Sequence, residues 1–148
     1  MPIRELMAED KEFFCQIMDE FYRTDAVIKP LSSEIINRVY EDCINSSPFV
    51  KAYIFEDEVP FGYGVVGFGY SNEAGGVCLW VEDLYIRSEY RGKGWGSEFF
   101  KMLEREYGKK VRRMRLEVEP DNHSAVGLYR KFGFDFLEYS QMIKEMDQ

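Results

Sequence analysis

A glycine-rich segment near the middle of the chain has the composition of an anion-binding loop, and its sequence is Arg91-Gly92-Lys93-Gly94-Trp95-Gly96-Ser97. Glycines at alternate positions let the backbone approach a bulky anion and direct successive N–H groups at it. The segment lies between a predicted strand and a predicted helix, so the partial positive charge of the helix N-terminus adds to the attraction. Arg91 and Lys93 supply two full charges. The segment therefore predicts a pyrophosphate-binding loop.

Three other interpretations of these glycines compete with this one. A Walker loop requires G-x-x-x-x-G-K-[ST], which is absent. A Rossmann fingerprint requires G-x-G-x-x-G in an opening β-α-β unit, whereas the spacing here is G-x-G-x-G and an antiparallel meander is predicted before it. The remaining alternative is a tight strand-to-helix turn that needs glycine for its geometry alone. The loop by itself leaves this alternative open.

Two segments on either side of the loop carry further chemical groups. Val81-Glu82-Asp83-Leu84-Tyr85-Ile86 precedes it, and residues 122–134 follow it with the sequence NHSAVGLYRKFGF. Together with the loop they resemble the GNAT N-acetyltransferase superfamily, whose signatures are R/Q-x-x-G-x-G/A after the fourth strand and N-x-x-A-x-x-L-Y-x-K-x-G-F further on. The resemblance is strong over residues 76–146, while the first half agrees only in its pattern of elements. Within the superfamily the chain looks nearest to polyamine and related small-amine acetyltransferases.

The resemblance implies acetyl-CoA as the co-substrate and no metal ion. In this family the main chain of the fourth strand holds the pantetheine arm and the thioester carbonyl, which corresponds here to Leu84, Tyr85 and Ile86. A bulge near Glu82-Asp83 would help the fourth and fifth strands to splay and admit the coenzyme. The pyrophosphate would bind the N–H groups of the loop residues Arg91, Gly92, Lys93, Gly94, Trp95, Gly96 and Ser97.

Three side chains each have a coenzyme role and a plainer alternative. Asn122 binds the coenzyme, or only forms a turn or a helix cap. Lys131 reaches the coenzyme phosphates, or lies in solvent. Trp95 packs beneath the coenzyme, which we favour, or presses on the sheet.

Acetyl transfer to an amine requires one proton to leave the nitrogen and another to reach the leaving thiolate. Glu82 occupies the position where many family members keep a general base, which often acts through water. Tyr129 matches the usual general acid. Transfer is expected to be direct, because none of the three cysteines has the context that activates a nucleophile. The alternatives are that Glu82 and Asp83 end the strand or pair with Arg87, and that Tyr129 belongs to the core.

The charge distribution indicates a cationic acceptor. Residues 1–60 carry thirteen acidic residues against six lysines and arginines, whereas residues 87–115 carry four acidic residues against ten lysines and arginines. An acidic first half suits a cationic substrate and a basic middle suits a polyanionic ligand, although solvated faces would have the same composition. Tyr22 and Asp25, between the first two predicted helices, are candidate substrate residues for a small polyamine-like, lysine-like or aminoglycoside-like amine. Rival functions are acetylation of protein lysines or N-termini, transfer of another acyl group, and a non-catalytic acetyl-CoA-binding module.

The overall composition excludes several classes of protein. The 148 residues, of which 45% are hydrophobic and 31% charged, are expected to form one acyltransferase domain, 1–148. A net charge of −8 disfavours nucleic acid as a partner, and no apolar run is long enough to span a membrane. Three widely spaced cysteines without a CxxC motif favour a cytoplasmic protein over a disulfide framework or a zinc site. The resemblance also implies a homodimer, in which the final strands could pair across the interface.

The pattern of apolar residues predicts the order β-α-α-β-β-β-α-β-α-β-β. Helices are expected over residues 9–23, 32–43, 94–107 and 124–132. Strands are expected over residues 3–6, 49–56, 59–70, 77–86, 114–118, 134–136 and 140–146. We therefore expect an α/β fold of the α+β type, with helices on both faces of a mixed, mostly antiparallel sheet. The resemblance adds a splay between strands 4 and 5.

Overall fold

A computed structural model describes residues 2–147, in which five strands form one sheet in the order β1-β2-β3-β4-β5. The neighbours from β1 to β4 pair antiparallel, and β4 pairs parallel with β5. This confirms the predicted mixed, mostly antiparallel sheet. The strands are β1 Ile3–Glu5, β2 Val50–Glu56, β3 Pro60–Ser71, β4 Gly76–Ile86 and β5 Arg113–Leu116.

Helices cover both faces of this sheet, as predicted. The helices are α1 Lys11–Phe21, α2 Ser33–Ile44, α3 Trp95–Tyr107 and α4 His123–Lys131, with short 3-10 turns at Ala8–Asp10 and Ser88–Tyr90. The first two lie on one face, and α3 and α4 lie on the other. Within residues 2–147, no helix combines the length and apolar character that a membrane crossing requires.

Each face of the sheet has its own apolar core. Phe99 and Leu103 of α3 are fully buried on one face, and Phe14 and Ile17 of α1 are fully buried on the other. Gly64 on β3 allows α3 to come this close, because a β-carbon at that position would lie 2.6 Å from the Phe99 ring. Packing on two faces therefore fixes the sheet between its helix pairs.

The sheet opens between β4 and β5. Pairing of these strands is confined to four positions, from Cys78 with Arg113 to Val81 with Leu116, so the last part of β4 extends beyond its neighbour. In the β3–β4 ladder Val65 lies opposite Asp83, and Val66 lies opposite Val81. Glu82 is therefore an extra residue, which makes a β-bulge at the point where the strands part. The expected bulge and splay are both present.

The predicted strands at 134–136 and 140–146 are wrong. Between α4 and residue 147 the chain has no regular secondary structure. Its aromatic and branched residues favour a strand, but a strand needs a partner, and Met142 and Ile143 are 97% and 84% exposed. The segment is held by side chains instead, since Tyr139 donates to Glu73 at 2.7 Å and a side-chain hydrogen bond also joins residues 141 and 117.

Candidate functional site

The glycine-rich loop presents a row of unused backbone N–H groups. Arg91 N–H donates to the Ser88 carbonyl and Glu98 N–H donates to the Gly94 carbonyl. Between them, the six N–H groups of residues 92–97 find no acceptor within residues 2–147. Gly92 and Gly94 have φ of 74° and 88°, the left-handed region that other residues rarely adopt. The loop therefore exposes unpaired donors at the start of α3, which is the arrangement that favours an anion.

The two cations of the loop lie close to its aromatic neighbours. The Arg91 Nε donates to the Ile86 carbonyl at 2.6 Å, and its guanidinium lies 5.5 Å from the Tyr85 ring centre. The Lys93 ammonium lies 5.6 Å from the ring centre of Tyr90. Of the β4 groups expected to hold pantetheine, the Ile86 carbonyl is thus already engaged by Arg91.

The N-terminus of α3 packs tightly against the rest of the molecule. A β-carbon at Gly96 would lie 2.8 Å from Leu128 of α4, so glycine permits close contact of the two helices. Trp95 lies on the sheet side, with its ring 5.1 Å from that of Phe61. The side chain therefore packs against the sheet, and its contact with the coenzyme stays a prediction. Its buried Nε1 has no hydrogen-bond partner within residues 2–147.

A cleft of about 500 Å³ occupies the gap between β4 and β5. It brings together five of the candidate residues from three separate segments of the sequence: Asp25, Glu82, Leu84, Asn122 and Tyr129. Three carboxylates that the sequence analysis missed also line it: Glu117, Glu119 and Asp121. These three residues follow β5 directly. Parallel pairing of β5 with β4 places the end of β5 beside the bulge in β4, and this pairing is what could have identified them. Five carboxylates thus face one cleft, which favours a cationic occupant.

Glu82 is accessible from this cleft but electrostatically perturbed. Partial burial raises the pKa of its carboxyl above the ordinary value, and the negative charges of Asp83 and Glu117 raise it further. No ion pair within residues 2–147 offsets these effects, because Arg87 binds Glu20 at 3.1 Å. The alternative in which Glu82 or Asp83 pairs with Arg87 is therefore wrong. A carboxylate with a raised pKa can accept a proton near neutral pH.

Tyr129 combines a packed ring with an unpaired hydroxyl. Its ring centre lies 5.7 Å from that of Phe100 and 6.1 Å from that of Phe134. Burial raises the pKa of the phenol, and the hydroxyl forms no hydrogen bond within the part of the chain that the structure describes, residues 2–147. The tyrosine therefore keeps its proton at neutral pH and can donate it to a group in the cleft.

Asn122 and Lys131 lie at opposite ends of α4. The Asn122 side chain accepts a hydrogen bond from the Ala125 N–H at 3.3 Å, so it caps the helix while lining the cleft. Lys131 is exposed and forms no ion pair within residues 2–147. It is free to reach a ligand or to remain in solvent.

The two candidate substrate residues have different surroundings. Asp25 is exposed at the mouth of the cleft. The Tyr22 hydroxyl instead donates to Asp83 at 2.7 Å, and the residue is not among those that line the cleft. Tyr22 therefore lies outside the cleft, behind the residues that line it. Residues 2–147 contain no group of three or more His, Cys, Asp or Glu side chains placed to hold a metal ion.

Comparison with known proteins agrees with this geometry. Residues 11–134 match the model of the acetyltransferase (GNAT) family. The chain is 32% identical over 123 residues, 75% of its length and 82% of the relative's, to a Bacillus subtilis (strain 168) protein provisionally named as a ribosomal protein bS18-alanine N-acetyltransferase. It is 29% identical over 143 residues, 86% of its length and 82% of the relative's, to thialysine N-epsilon-acetyltransferase of Sus scrofa.

Solved structures share the fold. The structure of AAC(6′)-Iy in complex with the bisubstrate analog CoA-S-monomethyl-acetylneamine superposes with a TM-score of 0.79 at 14% identity. The match covers 98% of this chain and 97% of that one.

Proposed function

Because the chain belongs to the GNAT family of N-acetyltransferases, we propose that it transfers the acetyl group of acetyl-CoA directly to the primary amine of a small cationic acceptor. The observation that carries the proposal is the cleft at the splay, which holds Glu82 and Tyr129 together with four further carboxylates. The adjoining loop supplies six unpaired N–H groups for a pyrophosphate.

The proposed coenzyme site uses the loop and the open side of β4. The N–H groups of residues 92–97 bind the pyrophosphate, with Arg91 and Lys93 adding charge. Free polar groups of β4 beyond its pairing with β5, at Leu84 and Tyr85, bind the amide-like pantetheine arm. The thioester then lies in the splay between the two strands.

The reaction moves three protons and transfers one acetyl group. Glu82 accepts a proton from the acceptor ammonium, directly or through water, so that a neutral nitrogen can attack the thioester carbonyl. The tetrahedral intermediate collapses by breaking its C–S bond, and Tyr129 donates a proton to the leaving thiolate, whose thiol has an ordinary pKa of about 8.5. The second proton that leaves the nitrogen restores the Tyr129 phenol, so the products are a neutral amide, free coenzyme A and the proton held by Glu82. A covalent enzyme intermediate is not needed. Burial raises the pKa of the Cys43 thiol to about 11, and it also raises those of Cys15 and Cys78.

The acceptor class follows from the charge of the cleft. A polyamine-like, lysine-like or aminoglycoside-like amine has a second cationic group, which the carboxylates opposite Glu82 can bind. The names of the relatives indicate two acceptor classes, since one contains thialysine and the other an alanine of a ribosomal protein. Charge and cleft volume favour the small amine.

The test is a coenzyme-release assay with acetyl-CoA across a panel of acceptors. The panel holds polyamines, lysine analogues, aminoglycosides, neutral and acidic amines, and peptides with free N-termini or lysines. Turnover confined to cationic small molecules supports the proposal. Turnover confined to neutral or acidic amines refutes the cationic acceptor, turnover confined to peptides supports the protein acetyltransferase, and coenzyme binding without turnover indicates a regulatory module.

A further inference from the structure

Asp83 is a buried carboxylate that the reaction above does not use. It is 3% exposed. Its Oδ1 accepts a hydrogen bond from the Tyr22 hydroxyl at 2.7 Å, and its Oδ2 accepts one from the Tyr63 hydroxyl at 2.8 Å. None of the ion pairs formed within residues 2–147 includes it. An unpaired buried carboxylate is costly, so its retention here needs a reason other than stability.

The bulge explains where Asp83 points. Side chains normally alternate between the faces of a strand, but the extra residue at 82 breaks this alternation. Asp83 contacts Tyr63 in the core beneath α1. Glu82 lies on the same face as Asp83. Gly67 is two residues after the buried Val65, so a β-carbon at Gly67 would point to this face, and it would lie 3.5 Å from the Glu82 Oε1. The two carboxylates therefore lie side by side, one buried and one open to the cleft.

The hydrogen bond from Tyr22 connects this pair to the wall of the acceptor site. Tyr22 is the C-cap of α1 and immediately precedes the segment that contributes Asp25 to the cleft. A second tie fastens the same end of α1 to β4, since the Tyr85 hydroxyl donates to Glu20 at 2.9 Å and Arg87 binds that carboxylate too. The end of α1 is thus held at two points on the strand that carries Glu82.

We propose that Asp83 is a positioning residue for acetyl transfer, which fixes the acceptor wall relative to Glu82 through the hydroxyl of Tyr22. The kinetic consequences of this role depend on the proposed function. Burial raises the pKa of the Asp83 carboxyl, and the hydrogen bonds from the Tyr22 and Tyr63 hydroxyls oppose this rise by favouring its charged form immediately behind the proposed base. Removal of the Tyr22 hydroxyl loosens the segment after α1 without touching the coenzyme loop.

The first test compares two substitutions that each delete one hydrogen-bonded tyrosine hydroxyl. Tyr22→Phe removes the link between Asp83 and the acceptor wall. Tyr53→Phe is the matched control, because Tyr53 is 1% exposed and its hydroxyl lies 2.7 Å from that of Tyr107 on the opposite face of the sheet. We expect Tyr22→Phe to raise the acceptor KM about three- to tenfold, the effect of one ordinary hydrogen bond, with little change in coenzyme affinity. Tyr53→Phe should leave the acceptor KM unchanged at a similar loss of stability.

The second measurement does not depend on catalysis. Amide hydrogen exchange at residues 23–26 should quicken in Tyr22→Phe relative to wild type and to Tyr53→Phe. Unchanged exchange in this segment, or equal effects of both substitutions on KM, overturns the positioning role. If wild type acetylates no amine, the proposed function fails, and the exchange experiment still decides whether Tyr22 holds the wall.

The third test addresses the charge of Asp83. Within residues 2–147, no lysine, arginine or histidine lines the cleft around Glu82. The charged groups near Glu82 are carboxylates from four segments: Asp83 on β4, Asp25 after α1, Glu117 and Glu119 after β5, and Asp121 before α4. Asp83→Asn keeps the shape and removes one of these charges. Glu82 should then stay deprotonated at lower pH, so the acidic limb of the kcat/KM profile should move down by roughly one pH unit. A limb that stays in place in a folded variant refutes this charge effect.

Discussion

Gly94→Ala tests the geometry of the proposed pyrophosphate loop. Gly94 is the N-cap of α3, with φ of 88° and ψ of 8°, and a β-carbon there would meet no atom within 4 Å. The added methyl group therefore causes no clash, and its whole effect is backbone strain. A non-glycine residue in the left-handed region costs about 1–2 kcal/mol. This strain corresponds to a change of about 5- to 30-fold in an equilibrium constant.

The strain has one of two consequences, and each can be measured. If the loop keeps its shape, the free energy of unfolding falls by about 1–2 kcal/mol. If the loop relaxes, its N–H groups no longer converge and coenzyme A binds about 5- to 30-fold more weakly. Urea unfolding and calorimetric titration with coenzyme A, on the same protein preparation, measure the two quantities.

Gly127→Ala is the matched control for this experiment. Gly127 lies inside α4, is exposed, and has no atom within 4 Å of a β-carbon. Its φ is not positive, so alanine should stabilise the helix by up to about 1 kcal/mol and leave coenzyme binding unchanged. If Gly94→Ala behaves like Gly127→Ala in both measurements, the loop does not require the conformation described here.

Three further predictions concern the cleft. Tyr129→Phe should lower kcat about a hundredfold, the usual contribution of a general acid, with coenzyme affinity unchanged; a wild-type kcat would remove Tyr129 from the mechanism. Glu82 has a raised pKa, so as pH falls wild type should lose kcat/KM at a higher pH than an ordinary glutamate, near 4.3, would dictate. Glu82→Gln should abolish that limb, and an intact limb would assign it to another group. Glu117→Gln should raise the KM of a diamine more than that of a monoamine, and this difference should shrink at high salt. The control Glu58→Gln, in the exposed β2–β3 turn, should change neither KM. Equal effects of Glu117→Gln on both acceptors would show that Glu117 does not bind the second cation.

Most of the fold could be predicted from local sequence because its signals are local. Glycine at positions 92 and 94 permits the positive φ that the loop adopts there, and the apolar residues after them predict helix α3. The meander of β2, β3 and β4 follows from runs of branched and aromatic residues between turn signals. The bulge at Glu82 was expected from the family resemblance alone, since no feature of VEDLYI distinguishes a bulged strand from a regular one.

The parts that failed depend on contacts between distant segments. The tail after α4 has strand-forming residues, yet Ile143 meets no partner strand in the described chain. Trp95 packs against Phe61 of β3 with the ring centres 5.1 Å apart, a contact that no local pattern in the sequence predicts. The role of Tyr22 also depends on tertiary structure, because its hydroxyl reaches Asp83 across the α1–β4 contact. A motif gives the residue type at each of these positions but not the direction of its side chain.

The adjacent carboxylates of β4 can serve two purposes because of one inserted residue. In a regular strand Glu82 and Asp83 would face opposite sides of the sheet, and a single face could not hold both a buried anchor and an accessible base. The bulge turns both toward α1, where Tyr22 and Tyr63 satisfy Asp83. Glu82, one residue earlier, remains at the edge of the splay with no such partner. Deletion of a residue here would restore the alternation and separate the proposed base from the acceptor wall, which is why the bulge and the splay belong to the same functional unit.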